Sequence, residues 1–153
     1  MHSLLNRTLI FIALMVAGLV LYVKWFDLQA DRYDETAVPY LREAVPVLAA
    51  WQIDPLLPLL SPDARRDFEN QALRDAYLGF SRLGVLQDME KPQYLASASA
   101  TSNTLGDVEI VDYEVDARFT TGPARIKLKL LHHGQDYYLH HFGFHSDVFA
   151  AGQ

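Results

Sequence analysis

Five of the six histidines fall between positions 132 and 145: His132, His133, His140, His141 and His145. Neutral imidazole is a ligand for Zn, Ni or Cu, so this crowding is the first place to look for chemistry. Successive residues of a strand point to opposite faces, so each His-His doublet lends one ligand to a compact site. His132, His140 and His145 are then the candidate metal set, with Asp136 as a substitute from another register. No HExxH motif accompanies them. Histidines at the edge of a core or on a surface are the more ordinary account of the pattern, and no metal or other cofactor is expected. The aromatic residues beside them suggest a different site. Tyr113, Tyr137, Tyr138, His141 and Phe142 are candidates to line a pocket for an apolar ligand with a few polar groups. In such a pocket His141 would be the base, hydrogen-bonded to Tyr113 or an Asp.

Other chemistries lack their residues. The chain has no cysteine, which removes disulfides, thiolate metal sites, cysteine nucleophiles and a lipid anchor on cysteine. Ser97, Ser99 and Ser102 lie in no GxSxG elbow, and no Gly-rich phosphate loop follows a strand. No catalytic residue is assigned.

The elements that must position these side chains switch character halfway along. Val111, Tyr113, Val115, Ala117 and Phe119 alternate with Asp112, Glu114, Asp116 and Arg118, the signature of a strand with one wet face. Ala124, Ile126, Leu128 and Leu130 alternate in the same way with Arg125, Lys127 and Lys129. A hairpin through Thr120-Thr121-Gly122-Pro123 that pairs Phe119 with Ala124 sets Asp116 against Lys127 and Glu114 against Lys129. These lysines thereby become cross-strand partners rather than a ligand patch. His133–Asp136 is a second turn, and residues 93–101 form a further strand. Over Tyr137–Ser146 both alternation sets contain aromatics and histidines, so the pattern does not identify the inward face.

The first half is helical. Ala37, Leu41, Ala44, Val45 and Leu48 make one apolar stripe over residues 38–50, with Pro39 placed to open that helix and Pro46 to kink it. Asp54-Pro55 and Ser61-Pro62 read as two capped helix starts. The second opens a long helix to about residue 82, with Phe68, Ala72, Ala76 and Phe80 on one face.

Ahead of all this, Thr8–Val23 runs for sixteen residues without a charge. As a helix it is about 24 Å long, and with Leu4–Leu5 and Trp25–Phe26 it approaches the roughly 30 Å of a bilayer core. Arg7 precedes it, favouring the amino terminus inside. A cleaved signal peptide begins alike, but Leu28-Gln29-Ala30 is a poor cleavage site. The expectation is a retained single-pass anchor over residues 1–30, in the bilayer through residues 4–26 at the inner membrane. Residues 27–36 would be a polar connection, and residues 31–153 a periplasmic domain. The net charge of -6 makes nucleic acid a poor partner.

Helices followed by antiparallel hairpins give an α+β fold with helices packed on a curved sheet. That order, with the Phe80-Ser81-Arg82-Leu83-Gly84 transition and the hairpins from Val108 to Phe149, resembles the nuclear transport factor 2-like superfamily. The resemblance implies a cone-shaped domain, and members include polyketide cyclases, ketosteroid isomerases and catalytically silent interaction domains. The function expected is a membrane-anchored binding or assembly accessory domain of the bacterial envelope. Its partner would be another envelope or membrane protein, or a second copy of the chain. The alternative is a small-molecule-binding or catalytic cone.

Overall fold

The computed structural model describes the backbone of residues 2–152 and the side chains of residues 8–150. It divides into two compact units, Met1–Glu35 and Thr36–Gln153. Helix α1 spans His2–Leu48. It has no break at residues 27–36, where a connection was expected, and Pro39 lies inside it rather than at its start. A proline interrupts one hydrogen bond of the ladder, and here the helix continues past both Pro39 and Pro46. Between Leu9 and Leu28 the large apolar side chains other than Phe26 are about half exposed or more. The helix is long and apolar enough to cross a membrane, its best 18-residue window having a mean hydropathy of 2.3.

In the second unit, Ala37, Leu41, Ala44, Val45 and Leu48 of α1 are buried, as the stripe requires. The chain then makes α2 (Ile53–Leu56), a single 3-10 turn (Leu57–Leu59), α3 (Pro62–Asp67) and α4 (Gln71–Gly79). Ser61 caps α3, its Oγ accepting from the Ala64 amide at 3.2 Å. Asp54 is no cap; it sits in the first turn of α2, behind Gln52. The single helix expected from Pro62 to about residue 82 is two. Asn70 starts α4 by accepting from the Ala72 amide at 2.9 Å, a local side-chain bond that competes with continuing the helix. One consequence is that Phe68 and Tyr77 are buried while Ala72 and Ala76 face solvent.

Five strands form one antiparallel sheet: β1 (Leu86–Met89), β2 (Gln93–Ser102), β3 (Gly106–Phe119), β4 (Gly122–His133) and β5 (Asp136–His145). β1 and β2 lie in succession along the same side of β3, then β4 and β5 follow on the other. The architecture is therefore α+β, with a long amino-terminal helix and a five-stranded antiparallel sheet. β1 was not visible in the sequence; its four residues are too few to show a period.

The central hairpin corrects the expected register by two residues. Phe119 pairs with Gly122, Val115 with Ile126 and Tyr113 with Leu128, so Thr120-Thr121 is the whole turn. Asp116 therefore faces Arg125 and Glu114 faces Lys127, while Lys129 faces Asp112. A slip of two leaves every side chain on its face, so the hydrophobic pattern selects the face and the turn length selects the register. Arg125 Nε donates to Asp116 Oδ1 at 2.8 Å and lies 3.2 Å from Glu114, and Lys129 Nζ reaches Asp112 at 2.9 Å.

The core ends in an aromatic knot beyond α1. Trp51 takes φ 58°, a left-handed conformation unusual for a non-glycine residue. Its ring lies 5.2–6.0 Å from those of Tyr77, Phe119 and Phe144. Its Nε1 donates to the Gly84 carbonyl at 2.6 Å. Gly84 itself has φ 80°, and a Cβ there would run into the Thr120 side chain.

Candidate functional site

The histidine cluster opens out once β5 is placed. Lys129 of β4 pairs with His141, but its neighbour Leu130 pairs with Leu139, leaving His140 as the extra residue of a β-bulge. The bulge shifts the alternation by one. Tyr137 and Leu139 point into the core before it, and Phe142 and Phe144 turn to the same core aromatics after it. That is why both alternation sets in this segment carry aromatics.

The bulge delivers His140 to the sheet edge, where the chain before α3 runs alongside. Leu60 forms a parallel bridge with Leu139, and the Ser61 amide donates to the Leu139 carbonyl at 2.8 Å. Ser61 Oγ sits 3.0 Å from His140 Nδ1. The hydroxyl is fully buried and already accepts from Ala64, so it orients the imidazole and is closed to attack by substrate. Among the described residues no carboxylate forms an ion pair with His140. Ser61 and His140 are thus a positioning pair, not a nucleophile and its base.

His140 borders two cavities. The first, about 300 Å³, lies between α3, α4 and β5; Leu60, Phe68, Tyr77, Phe80 and Phe142 form its apolar walls, and Asp67, Leu73, Ala76 and His141 its rim. The second, about 600 Å³, lies where α3 meets the other sheet face, between Asp63, Arg66 and the strand residues Ala100, Val108, Ile110 and Leu131. Asp63 is engaged there, accepting from Ser102 Oγ and Thr104 Oγ1 at 3.1 and 3.2 Å.

Of the pocket residues expected from sequence, His141 and Phe142 line the first cavity. Tyr113 is fully buried with its ring 6.0 Å from Tyr94, and Tyr137 is buried with its hydroxyl 2.8 Å from Thr36 Oγ1. Tyr138 is half-buried opposite Leu131. The three metal candidates are dispersed. His132 stacks on Tyr137 at 4.5 Å with Nδ1 3.3 Å from Glu109, His140 is held by Ser61, and His145 is exposed opposite Arg125. Among the described residues no group of three or more His, Asp or Glu is placed to hold a metal ion. Sequence reasoning found Ser61 as a cap but not as the partner of His140, since nothing local joins positions 79 residues apart.

Burial raises two phenols. Tyr77 is pushed up to about 12, against the pull of backbone groups at Gln52 and Trp51. Tyr40 is pushed up to about 12 as well, against a backbone hydrogen bond at Leu139. Both remain neutral and act as donors: Tyr77 Oη donates to the Leu48 carbonyl at 2.9 Å, near the end of α1. Among the described residues no buried side-chain N or O lacks a hydrogen bond.

No family model matches this chain, and no curated protein does. A solved structure that aligns with it is a SEC-C motif-containing protein from Rhodopseudomonas palustris, 16% identical, with a TM-score of 0.36, covering 72% of this chain and 90% of that one. The expected membership of the nuclear transport factor 2-like superfamily is corrected by this result: what the comparison returns is a protein of another description. The resemblance rested on element order, helices and then hairpins, which many α+β proteins share.

Proposed function

We propose that this chain is a single-span, membrane-anchored binding module of the bacterial cell envelope, with the unit Thr36–Gln153 on the periplasmic side. The observation that supports it is the run of exposed apolar side chains from Leu9 to Leu28. Left in water, each would forgo about 1.5–3 kcal/mol of burial, a cost that hydrocarbon removes. Arg7 and the terminal amine before the span favour the amino terminus inside, against Lys24 and Arg32 after it. Among the described residues every buried side-chain N or O is hydrogen-bonded, Tyr77 at the cavity wall to the Leu48 carbonyl and Ser61 beside His140, which favours binding over catalysis. The partner is another envelope protein, and an apolar side chain of it enters the cleft walled by Phe68, Phe80 and Phe142.

The absence of cysteine makes the orientation directly testable. In intact cells, a membrane-impermeant maleimide should label Ala150→Cys and spare Asn6→Cys until the inner membrane is opened. The reverse pattern would refute the orientation, and release of the chain by carbonate would refute the span. Crosslinking from intact membranes then tests the partner. Ala76→Lys at the cleft rim should lose any envelope protein the parent chain captures; retention of that protein would move the contact elsewhere.

A second reading rests on the Ser61–His140 contact. An imidazole held at the wall of a 300 Å³ apolar cavity suits a small apolar ligand with one polar group. Native mass spectrometry of the full chain in detergent would show that ligand retained, and His140→Ala would release it.

A further inference from the structure

The two edges of the sheet are treated differently. β5 is guarded: Leu60 and Ser61 bond to Leu139, and the His140 bulge breaks the edge beside them. β2, at the other edge, pairs on one side only, with β3. Soluble domains protect such edges with lysines, prolines or very short strands. β2 has ten residues, none charged and none proline, within an uncharged run over residues 92–106 of an otherwise acidic chain. Its only irregularity is a bulge between Tyr94 and Ala96, at one end.

The sequence of this edge is also symmetric. Ala96-Ser97-Ala98-Ser99-Ala100 reads the same in both directions. An antiparallel pair reads one of its strands backwards, and a two-fold interface requires a surface to complement itself. We propose that β2 pairs antiparallel with β2 of a second copy of this chain, about a two-fold axis at Ala98, joining the two sheets into one. In that register Ala98 faces its own counterpart, Ala96 faces Ala100 and Ser97 faces Ser99.

The faces agree with this pairing. Ala96 pairs with Asp112 and Ser97 with Val111, so the alanines lie on the charged face of the sheet and the serines on its core-facing side. Within Ala96–Ala100 every cross-dyad pair then joins like with like, alanine on alanine and hydroxyl against hydroxyl, while Leu95 faces Thr101 beyond it. Ser97 Oγ already accepts from the Tyr94 hydroxyl at 2.9 Å, and its own proton goes to Ser99 of the second copy. With no charge on the strand, two identical copies meet without like-charge repulsion. The inference does not rest on the anchor or on the cleft: it concerns an edge remote in sequence from both, and it stands or falls separately.

The test uses the full-length chain in detergent, with single cysteines introduced into its cysteine-free sequence. Residues directly opposite in an antiparallel pair have Cα atoms about 4.5–5.5 Å apart, inside the range a disulfide spans. Residues offset by two positions are about 8 Å apart, outside it. Under mild oxidation, Ala98→Cys should form a disulfide-linked dimer. Ser97→Cys mixed with Ser99→Cys should crosslink as a heterodimer, while each of these two alone reacts at least about tenfold more slowly. Ala98→Lys sets two ammonium groups face to face, and should raise the dimer dissociation constant at least about tenfold with an unchanged unfolding midpoint. A parent chain that is monomeric by light scattering, equal reaction at all three cysteines, or a dimer indifferent to Ala98→Lys would each overturn the proposal. If the lysine variant does not fold, the cysteine pattern alone decides.

Discussion

Replacing Tyr77 by Phe tests how the end of α1 is tied to the core. The ring would remain against Trp51, Phe68 and Phe142, so packing is conserved and only the hydroxyl is lost. The Leu48 carbonyl, near the end of a helix whose last carbonyls have no partner within the ladder, then loses its donor at 2.9 Å. A buried acceptor left unpaired costs about 1–2 kcal/mol, and this is the expected loss at neutral pH. At high pH the order should change. The folded chain holds the Tyr77 proton to about 12, whereas the unfolded chain releases it near the ordinary value of 10.0. Stability from this group is complete below pH 10 and is lost as the pH climbs through 12, because only the unfolded state sheds the proton. Two pH units set an upper bound of about 2.7 kcal/mol, and screening by nearby solvent reduces it to about 1–2 kcal/mol. Tyr40 adds a similar alkaline loss of its own. The variant should therefore begin less stable than the parent and lose roughly half as much between pH 10 and 11.5. Urea unfolding of the full chain in detergent, followed by Trp51 fluorescence in a Trp25→Phe background, measures both quantities. An unchanged stability at pH 7, or an alkaline slope identical to the parent's, would refute the reasoning.

Further outcomes follow from the same geometry. Gly84→Ala should cost about 1–3 kcal/mol, since φ 80° and the Thr120 side chain both oppose a Cβ; Val85→Ala beside it, 67% exposed, should change the unfolding midpoint little. Ser61→Ala removes the α3 cap and the His140 contact together, and should cost about 1–2 kcal/mol while shifting the His140 ring resonances in an NMR spectrum more than those of His145. Arg125→Ala should leave the thermal unfolding midpoint nearly unchanged, because its side chain is 53% exposed and its bonds to Asp116 and Glu114 compete with water.

The parts of this fold that were legible in the sequence are those with a long, unbroken period. The apolar stripe from Ala37 to Leu48, the alternating faces of β3 and β4 and the uncharged helix from Thr8 each repeat often enough to be recognised. What escaped was set by single residues or by distant ones. Asn70 divides one helical pattern into two, and a two-residue turn at Thr120 shifts a hairpin by a step that hydrophobicity does not sense. Candidate-site residues were visible where the aromatic cluster is local, as with His141 and Phe142. They were invisible where the chain returns from far away, as with Ser61, Phe68 and Phe80.

The bulge at His140 has a consequence for how this strand tolerates change. It acts as a phase boundary between two half-patterns, each correct only relative to its own side. Deleting any one residue between Leu139 and Phe142 would make β5 a regular strand, and would carry either the Tyr137–Leu139 half or the Phe142–Phe144 half to the wrong face. Point substitutions at His140 leave that phase intact. The count at this position is therefore a constraint separate from the imidazole that occupies it: the Ser61 contact depends on the residue, and the faces of the strand depend on its place in the numbering.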